Sequence, residues 1–340
     1  MRNNALYFPY ISIPNTTWTL RALLYWDRLS SIVPIEIANR PEELDGFMRE
    51  LIDAGLVTMI TPAAHLHRVG GFEETFSALL DRRLKARDRV RRANHHPGKV
   101  HIHVEKLGRI PEILAERGVA QKADGSWYSV DEPIANLFMA YLAVCLGGLP
   151  EVDAAPVTHR WEFGRLFGNG IRPLHAKKSE HQSAREEIIK CLLPIPEGKI
   201  TLTELVDFKT KHGHLLPALR TMVESQSARI ALLPDPEDRV DAICDFGNEC
   251  RVRVDELCDA MRFSWKTLTF GTLTPLIGGG LALASTAHDE RMAYAGAAVS
   301  FVGAAYQALS SVRGLSPAQA QQPLAYVAHA RTWLGSRPSM

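Results

Sequence analysis

The stretch ALYFPYISIPNTTWTLRALLYWDRL, residues 5–29, decides how the front of the chain is predicted to fold. Its first nine residues are rich in aromatic residues and isoleucine, which favours a β-strand. Pro14 ends this strand. Asn15 or Thr16 can then cap a helix that runs through Leu29. Apolar residues recur in that helix every three to four positions, at Trp18, Ala22, Tyr25 or Trp26, and Leu29.

Two later segments each combine a helix, a glycine and a short strand. In the first, Pro41 begins a helix that ends at Ala54. Gly55 occupies the position after the last turn, where a positive φ is needed, and residues 56–60 form the strand. Residues 111–128 repeat this order, with an Asp-Gly turn before the final strand. The front of the chain is therefore predicted to mix helices with short strands.

Composition and periodicity divide the chain into five predicted segments. The fold class is predicted to be predominantly α, with an α+β front domain that an apolar helix at 132–146 completes. Prolines and glycines mark the region after this domain as irregular. The segments are an α+β globular domain at 1–150, an irregular linker or loop region at 151–200, an antiparallel helical hairpin at 201–266, an uncharged Gly/Ala-rich helical hairpin at 267–312 and a C-terminal tail at 313–340.

The segment at 201–266 has the pattern of two long helices. Thr201 and Glu204 form a capping box, in which each side chain accepts a hydrogen bond from the other residue's backbone amide. Apolar residues then alternate at spacings of three and four, are interrupted by a Pro-Asp-Pro break, and resume without a slip. This spacing predicts antiparallel helices at 202–233 and 237–265 that pack as a modest coiled coil, with a kink at Pro217.

Two segments of 21 residues each, 267–287 and 292–312, contain no charged residue. At ~1.5 Å rise per residue, each can span roughly 30 Å, the thickness of a bilayer core. The second segment has a small residue at every fourth position, which lets helices approach closely. Two interpretations stay open: a hairpin that contacts a membrane, and a buried or self-associating hairpin in a soluble protein. The predicted association residues are Gly296, Ser300, Ala304 and Ala308.

Flanking charges and cysteine usage predict the cellular location. Arg262, Lys266 and Arg313 lie outside the charge-free segments, which would keep both ends in the cytoplasm. The five cysteines are odd in number and form no CxxC, which indicates reduced, buried thiols in a cytosol. The N-terminus lacks the continuous apolar core of a signal peptide. We therefore expect a cytoplasmic protein, or alternatively one associated with the inner membrane through residues 267–312.

His101, His103 and Glu105 alternate in VHIHVEK, residues 100–106. In a strand, these three side chains would point to one face. A His and Glu set of this kind can bind zinc or iron, so a metal-dependent enzyme is one hypothesis. The alternative is a polar sheet face, because no further ligand lies at a diagnostic spacing. We expect a strand without a tightly bound metal, and we expect no cofactor.

The segment DRRLKARDRVRR, residues 81–92, places seven basic residues on one predicted helix. Such a helix can bind the phosphates of nucleic acid or anionic lipid. The alternative is a solvated helix with Asp81–Lys85 and Asp88–Arg92 pairs. Interleaved aromatic residues for base stacking are absent. The candidate residues for an anionic partner are Arg82, Arg83, Lys85, Arg87, Arg89, Arg91 and Arg92.

Whole-chain composition excludes several function classes. The net charge is +1, so any contact with nucleic acid or membrane depends on a local patch rather than on the field of the whole protein. The sequence contains no Walker A motif, no nucleophile-elbow motif, no HExxH motif and no GxGxxG motif. It therefore identifies no small-molecule ligand and no catalytic residue.

Four stretches carry a resemblance to a known family. They are LYFPYISIPNTTWTLRALLYWDRLSSIVP, VHIHVEKLG, the Trp127-Tyr128 segment followed by LFMAYLA, and LTELVDFKTKHGHLLPALR. The chain resembles an uncharacterised bacterial family of domains of unknown function over most of residues 5–225. The resemblance implies a bacterial, intracellular protein with a role in accessory or defence-type loci. It transfers no activity and no catalytic residue.

Three functional hypotheses follow from these patterns. The leading one is a non-enzymatic sensor or scaffold whose front domain controls a membrane-active or self-associating hairpin at 267–312. The second is a metal-dependent enzyme that uses His101, His103 and Glu105. The third is a nucleic-acid-binding module that uses the basic helix at 81–92.

Overall fold

The computed structural model describes residues 2–90, 98–107, 109–160, 173–193, 201–269 and 322–335. The chain forms two compact units. The first comprises Met1–Glu186, Thr201–Asp207 and Ser227–Pro234, and the second comprises Glu187–Ile200, Phe208–Gln226 and Asp235–Met340. Helices predominate, and the first unit also contains two small β-sheets. The predicted fold class, predominantly helical with strands at the front, is confirmed in outline.

A four-stranded parallel sheet lies in the first unit. Its strands are β1 (Asn4–Tyr7), β2 (Leu29–Ile32), β3 (Val57–Ile60) and β7 (Ala154–Val157), in the order β3-β2-β1-β7. Helix α1 (Thr17–Tyr25) connects β1 to β2, and α3 (Gly46–Asp53) precedes β3. Strand β7 then pairs with the other side of β1. The order of strands therefore reverses between β1 and β7.

The prediction that residues 151–200 are irregular is wrong in part, because this region contains strand β7 and helix α9 (Pro173–Leu192). β7 has four residues and includes Pro156, which cannot donate a backbone hydrogen bond. Such a strand is tolerated at the edge of a sheet, where one side needs no partner. The side chain of Gln182 on α9 donates to the carbonyl of Pro156 at 3.0 Å, which holds this edge.

Helix α1 begins after the predicted cap Thr16 but ends at Tyr25, before the predicted end at Leu29. The backbone of Trp26 is extended, and the amide of Asp27 donates to the carbonyl of Asn3 at 2.9 Å. All four residues of β2 are buried. Pairing with β1 therefore outweighs the helical spacing of the apolar residues.

The predicted helix from Pro41 to Ala54 is wrong in its first half. A short 3-10 turn, Pro41–Glu43, precedes α3. The carboxylate of Asp45 accepts from the amide of Met48 at 2.8 Å, so Asp45 caps a separate helix. Gly55 follows α3 with a φ of +68°, as predicted.

A three-stranded antiparallel sheet completes the strands of the first unit. Its strands are β4 (Lys99–His103), β5 (Ala120–Lys122) and β6 (Trp127–Asp131), in the order β4-β6-β5. The Asp124-Gly125 turn joins β5 to β6, and Gly125 has a φ of +59°. The predicted turn is therefore confirmed, because glycine adopts this left-handed backbone without strain.

Helix α8 (Glu132–Gly147) is the centre of the apolar core, as predicted for 132–146. It packs against α5 (Phe72–Val90), where the rings of Phe76 and Phe138 meet edge to face with centroids 5.2 Å apart. Its end lies so close to β7 that a Cβ at Gly147 would collide with the carbonyl oxygen of Ala154. The other helices are α2 (Ile35–Ala38), α4 (Pro62–His65), α6 (Val104–Leu107) and α7 (Ile110–Glu116).

Three helices occupy the region of the predicted hairpin: α10 (Leu202–His212), α11 (Leu216–Ile230) and α12 (Pro236–Thr269). The capping box is confirmed, because Thr201 N donates to Glu204 Oε2 at 2.9 Å and Glu204 N donates to Thr201 Oγ1 at 3.3 Å. A 3-10 turn at Gly213–Leu215 separates α10 from α11, so the kink predicted at Pro217 is a full break. The antiparallel packing of α11 with α12 stays a prediction.

Helix α13 (Ala325–Gly335) lies in the segment predicted as a C-terminal tail. In the second unit it packs on α12, where Arg331 NH1 lies 2.6 Å from Asp255 Oδ1. Most of the charge-free hairpin, residues 270–312, lies outside the described residues. Among the residues that are described, no helix combines the length and apolar character that a membrane crossing requires.

Candidate functional site

The carboxyl ends of β1 and β7 define the candidate site. In open parallel sheets, ligands bind in the crevice where the strand order reverses, at the carboxyl ends of the strands. Here that position lies between the chain leaving β1 after Tyr7 and the chain leaving β7 after Val157. We call the five residues gathered there the switch-point site: Tyr7, Tyr10, Trp18, His159 and Arg160.

Tyr7 and His159 form the centre of the switch-point site. The Tyr7 hydroxyl and His159 Nδ1 are 3.0 Å apart, and the two rings stack with centroids 5.8 Å apart. Burial raises the pKa of the Tyr7 phenol far above its usual value; nearby Tyr10 adds to this and Arg160 opposes it. A phenol that keeps its proton can donate it to Nδ1. In that tautomer, His159 Nε2 carries the ring proton and is itself a donor.

Three aromatic rings surround the imidazole of His159. Besides Tyr7, Trp18 lies 5.9 Å and Tyr10 6.1 Å from it, measured between ring centroids. Trp18 belongs to the first turn of α1, the helix that follows β1. Tyr7 is fully buried, whereas Tyr10 is exposed and His159 is half-buried. Aromatic rings therefore surround a half-buried imidazole, and Tyr10 reaches the solvent.

Arg160 supplies the positive charge of the site. Its NH1 donates to the hydroxyl of Tyr10 at 2.7 Å, and its backbone amide donates to Thr158 Oγ1 at 3.1 Å. These bonds hold the guanidinium beside the exposed tyrosine ring. A guanidinium has five N–H donors in a planar fork, which suits it to carboxylate or phosphate oxygens.

Arg21 lies one helical turn after Trp18 on α1 and is half-buried. Within the part of the chain that is described, its Nε is buried and has no hydrogen-bond partner. The sequence carries no Asp or Glu from Phe8 to Trp26 or from Val157 to Arg160. Residues 8–26 and 157–160 therefore contribute two arginines, Arg21 and Arg160, and no carboxylate.

A second polar cluster lies beyond the ends of β2 and β4. His103 is buried; its Nε2 lies 3.2 Å from Glu36 Oε2, and its Nδ1 accepts from the backbone amide of Glu105 at 3.3 Å. Ser126 Oγ donates to the other oxygen of Glu36 at 3.4 Å. The ring of Trp127 packs edge-on against His103, with centroids 5.1 Å apart. Both imidazole nitrogens are therefore engaged by the protein.

Glu105 connects two short helices that follow strands of the parallel sheet. Its carboxylate accepts from the amide of Ile35, the first residue of α2, at 2.5 Å and from the amide of Ala63 in α4 at 3.4 Å. Amides in the first turn of a helix lack partners within the helix, and a carboxylate there also suits the helix dipole. Glu105 therefore holds together the segments that leave β2 and β3.

The three candidate metal ligands, His101, His103 and Glu105, do not share one strand face. The strand ends at His103, and Glu105 lies in α6, so the prediction of one strand over residues 100–106 is wrong for its second half. His101 is exposed, whereas His103 is buried between Glu36 and Trp127. Across the described ranges, no three His, Cys, Asp or Glu residues are grouped so that they could hold a metal ion.

The basic helix predicted at 81–92 is the second half of α5, which ends at Val90. Arg82, Arg83 and Lys85 are exposed. Asp81 pairs with Arg117, the residue that follows α7, with Nε and Oδ1 2.7 Å apart, and the charge of Lys85 also helps to lower the pKa of the Asp81 carboxyl. The described part of this surface is thus basic. Arg91 and Arg92 lie outside the described residues, and so do Gly296, Ser300, Ala304 and Ala308.

Comparison with known proteins identifies no relative. No family model matches the chain, and no curated protein or solved structure does so either. The resemblance to a bacterial family of unknown function therefore stays an expectation, and the function has to be argued from the geometry alone.

Proposed function

We propose that the first unit is a sensor domain that binds a small anionic molecule at the switch-point site. The observation that carries this proposal is the grouping of Tyr7, Tyr10, Trp18, His159 and Arg160 at the point where the strand order of a parallel sheet reverses. Parallel sheets bind ligands at this position because the loops leaving neighbouring strands diverge there.

The charge of the site supports an anion. The Arg160 guanidinium and the Nε2 proton of His159 are donors, and the buried Nε of Arg21 adds a further arginine to the same stretch of chain. No Asp or Glu occurs among residues 8–26 or 157–160, the stretches that supply the residues of the site. A charge-assisted hydrogen bond contributes roughly 1.5–3 kcal/mol, which is enough to select an anion over a neutral analogue.

The shape of the site supports a small, planar ligand. Exposed Tyr10 and half-buried Trp18 offer ring surface beside the arginine. No glycine occurs between Phe8 and Thr16, the segment that joins β1 to α1. A dinucleotide needs glycines there so that the backbone can approach the pyrophosphate. An aromatic carboxylate, with one charged group and one ring, fits these features better than a dinucleotide does.

The output of the sensor is proposed to be the charge-free hairpin at 267–312. In this scheme, ligand binding changes the association of the hairpin with a membrane or with a second copy of the chain, and no bond of the ligand is broken. Replacement of both Gly296 and Ser300 by leucine would fill the small-residue stripe and should abolish that association while the first unit still folds. Replacement by alanine, which keeps the stripe narrow, is the matched control.

Titration calorimetry with matched probes tests the ligand proposal. We expect benzoate to bind the full-length chain, benzamide to bind at least about tenfold more weakly because it lacks the charge, and acetate to bind more weakly because it lacks the ring. Arg160→Gln should weaken benzoate binding by roughly 10- to 100-fold with an unchanged unfolding transition.

Arg40→Gln is the control for this variant, because Arg40 is an exposed arginine of the same unit that pairs with Glu43. It should bind benzoate as the wild type does. Equal affinity for benzoate and benzamide, or equal loss in both arginine variants, would contradict an anion site at Arg160.

A second candidate function rests on α5. Exposed Arg82, Arg83 and Lys85 form a basic surface whose neighbouring acid, Asp81, is bound to Arg117. Such a surface can bind nucleic-acid phosphates, with an affinity that falls steeply as salt increases. Replacing the three residues by glutamine should reduce retention of double-stranded DNA at low salt. The charge-matched control replaces Arg40, Arg49 and Lys122, which are exposed elsewhere on the same unit.

A further inference from the structure

Three cysteines of the second unit gather around one glycine. Cys191 lies in the last turn of α9, and Cys244 and Cys250 lie on α12 on either side of Gly247. A Cβ built at Gly247 would lie 3.4 Å from Cys191 Cβ and 3.6 Å from its Sγ. The last turn of α9 therefore rests directly on α12, where the absence of a side chain lets the two helices approach.

The spacing on α12 brings its two cysteines toward Cys191. Residues three apart on a helix are neighbours on its surface, with Cβ atoms about 5–6 Å apart. Cys244 and Cys250 each lie three residues from Gly247, so both flank the position that Cys191 occupies. Cys244 and Cys191 are exposed, whereas Cys250 is buried.

The electrostatics of Cys191 agree with this placement. Burial raises the pKa of its thiol, the charge of Glu187 and then the nearby thiol of Cys244 raise it further, and Arg251 and Lys190 oppose the shift. Burial raises the pKa of Cys250 to about 11, and Cys191 contributes least to that shift. Cys191 and Cys250 are thus mostly protonated thiols at neutral pH, and Cys191 interacts electrostatically with both Cys244 and Cys250.

We propose that Cys191 and Cys244 are a dithiol pair that forms a disulfide by exchange with a low-molecular-weight disulfide such as oxidised glutathione. In the first step the Cys244 thiolate attacks one sulfur of the small disulfide, which releases one small thiol and leaves a mixed disulfide. In the second step the Cys191 thiolate attacks Cys244 Sγ and displaces the other small thiol. Two protein thiols are oxidised and one small disulfide is reduced to two thiols.

The choice of this pair over Cys250 follows from exposure and proximity. Both thiols of the pair are exposed, so a small disulfide can reach them, whereas Cys250 is buried. A disulfide requires Cβ atoms about 3.5–4.5 Å apart, and the contact of Cys191 with Gly247 places Cys191 within one helical turn of Cys244. The disulfide links α9 covalently to α12, the helix that leads into the charge-free segments. Oxidation of the pair would therefore act on the proposed hairpin output without any ligand at the switch-point site.

The test incubates the full-length chain with oxidised and reduced glutathione at fixed ratios, blocks free thiols with an alkylating agent, and maps the peptides by mass spectrometry. The expected product is a monomer that contains a Cys191–Cys244 disulfide, with Cys250 alkylated. A Cys191–Cys250 link, a disulfide only between chains, or stable glutathione adducts without an internal link would each overturn the proposal.

Two variants make the result specific. Cys244→Ser should stop at a glutathione adduct on Cys191, whereas Cys250→Ser, the matched control, should form the internal disulfide as the wild type does. Because Cys244 is exposed, its replacement leaves packing intact, and thermal unfolding in reducing buffer checks this. If an internal disulfide also forms in Cys244→Ser, the assignment of the disulfide to Cys191 and Cys244 is wrong.

Discussion

The hydroxyl of Tyr7 lies 3.0 Å from Nδ1 of His159, although the two residues are 152 positions apart in the sequence. The contact exists because β7 pairs in parallel with β1, so Val157 lies opposite Tyr7 and the next residues leave the sheet at the same edge. It joins the two segments that build the proposed ligand site. Its removal is therefore a direct test of how that site is held together.

Tyr7→Phe should destabilise the protein and weaken the site while the ring remains packed. The variant leaves His159 Nδ1 without its phenol partner in a half-buried setting, which should cost about 1–3 kcal/mol of unfolding free energy. Chemical denaturation measures this loss. Tyr10→Phe removes a hydroxyl from an exposed ring and should cost much less; equal costs for the two variants would argue against a special role for the Tyr7 bond.

Gly147→Ala should destabilise the first unit because a Cβ would strike the carbonyl oxygen of Ala154, a backbone atom that cannot rotate away. Forced repacking of this kind costs about 1–3 kcal/mol. Gly46→Ala is the control, since no atom lies within 4 Å of a Cβ there and φ is not positive. That change should leave stability unchanged or raise it by about 0.4–1 kcal/mol. Thermal unfolding of both variants measures the cost, and equal stability of the two variants would contradict the close approach of α8 to β7.

Gly247→Cys should cross-link spontaneously to Cys191. The two Cβ atoms would lie 3.4 Å apart, near the lower end of the range that a disulfide requires, about 3.5–4.5 Å. Non-reducing peptide mapping after air oxidation measures the link. The double variant Gly247→Cys with Cys191→Ser should not form it. A link from the new cysteine to any other residue would mean that α9 does not rest on α12 at this point.

Stability should fall with decreasing pH because of two stacked imidazoles in the second unit. The rings of His212 and His329 lie 4.2 Å apart between centroids, and burial lowers the pKa of each from 6.5 to about 4; for His212, the proximity of His329 and Lys211 adds to the shift. Because the pKa of each histidine is lower in the folded protein than in the unfolded chain, the unfolded chain binds protons at a higher pH than the folded protein does. The loss of unfolding free energy caused by these two histidines is therefore absent above about pH 6.5, grows as the pH falls, and is complete near pH 4.

Thermal unfolding between pH 7.5 and pH 4 measures this effect, and a loss of 1 kcal/mol lowers Tm by roughly 2–4 °C in a protein of this size. His329→Phe removes one titrating group but keeps a ring in the stack, so it should flatten the decline. His101→Gln replaces an exposed histidine and should leave the profile unchanged. A decline of the same slope in His329→Phe would show that other groups cause it.

Several local features could be predicted from the sequence because their causes lie within a few residues. The Thr201–Glu204 capping box, the positive φ of Gly55 and the Asp124-Gly125 turn each depend on side-chain or backbone chemistry of one short segment. Helix α8 was predictable because its apolar residues extend over several turns. The conformational preferences of single residues and the spacing of apolar residues are enough to predict such features.

The candidate site could not be predicted in the same way. His159 and Arg160 follow a four-residue strand that contains a proline, a segment with no periodicity to detect. The only available signal was chemical: a histidine and an arginine placed directly after the apolar run Ala154–Val157, the position at which parallel strands present ligand-binding residues. His103 was predicted as a ligand because strand alternation does not reveal which face is covered, and Trp127 and Glu36 cover it.

The sequence by itself determined local features such as the Thr201–Glu204 cap and the glycine that follows α3, and that helices dominate the chain. Only the tertiary structure decided that Leu29 starts a strand instead of ending a helix, that β7 joins the parallel sheet, and that Tyr7 meets His159. The physical reason is the range of the interactions. Capping and turn formation depend on neighbours in sequence, whereas strand pairing and burial depend on residues that lie far outside any local pattern: β1 pairs with β2 and also with β7, which follows it by about 150 residues.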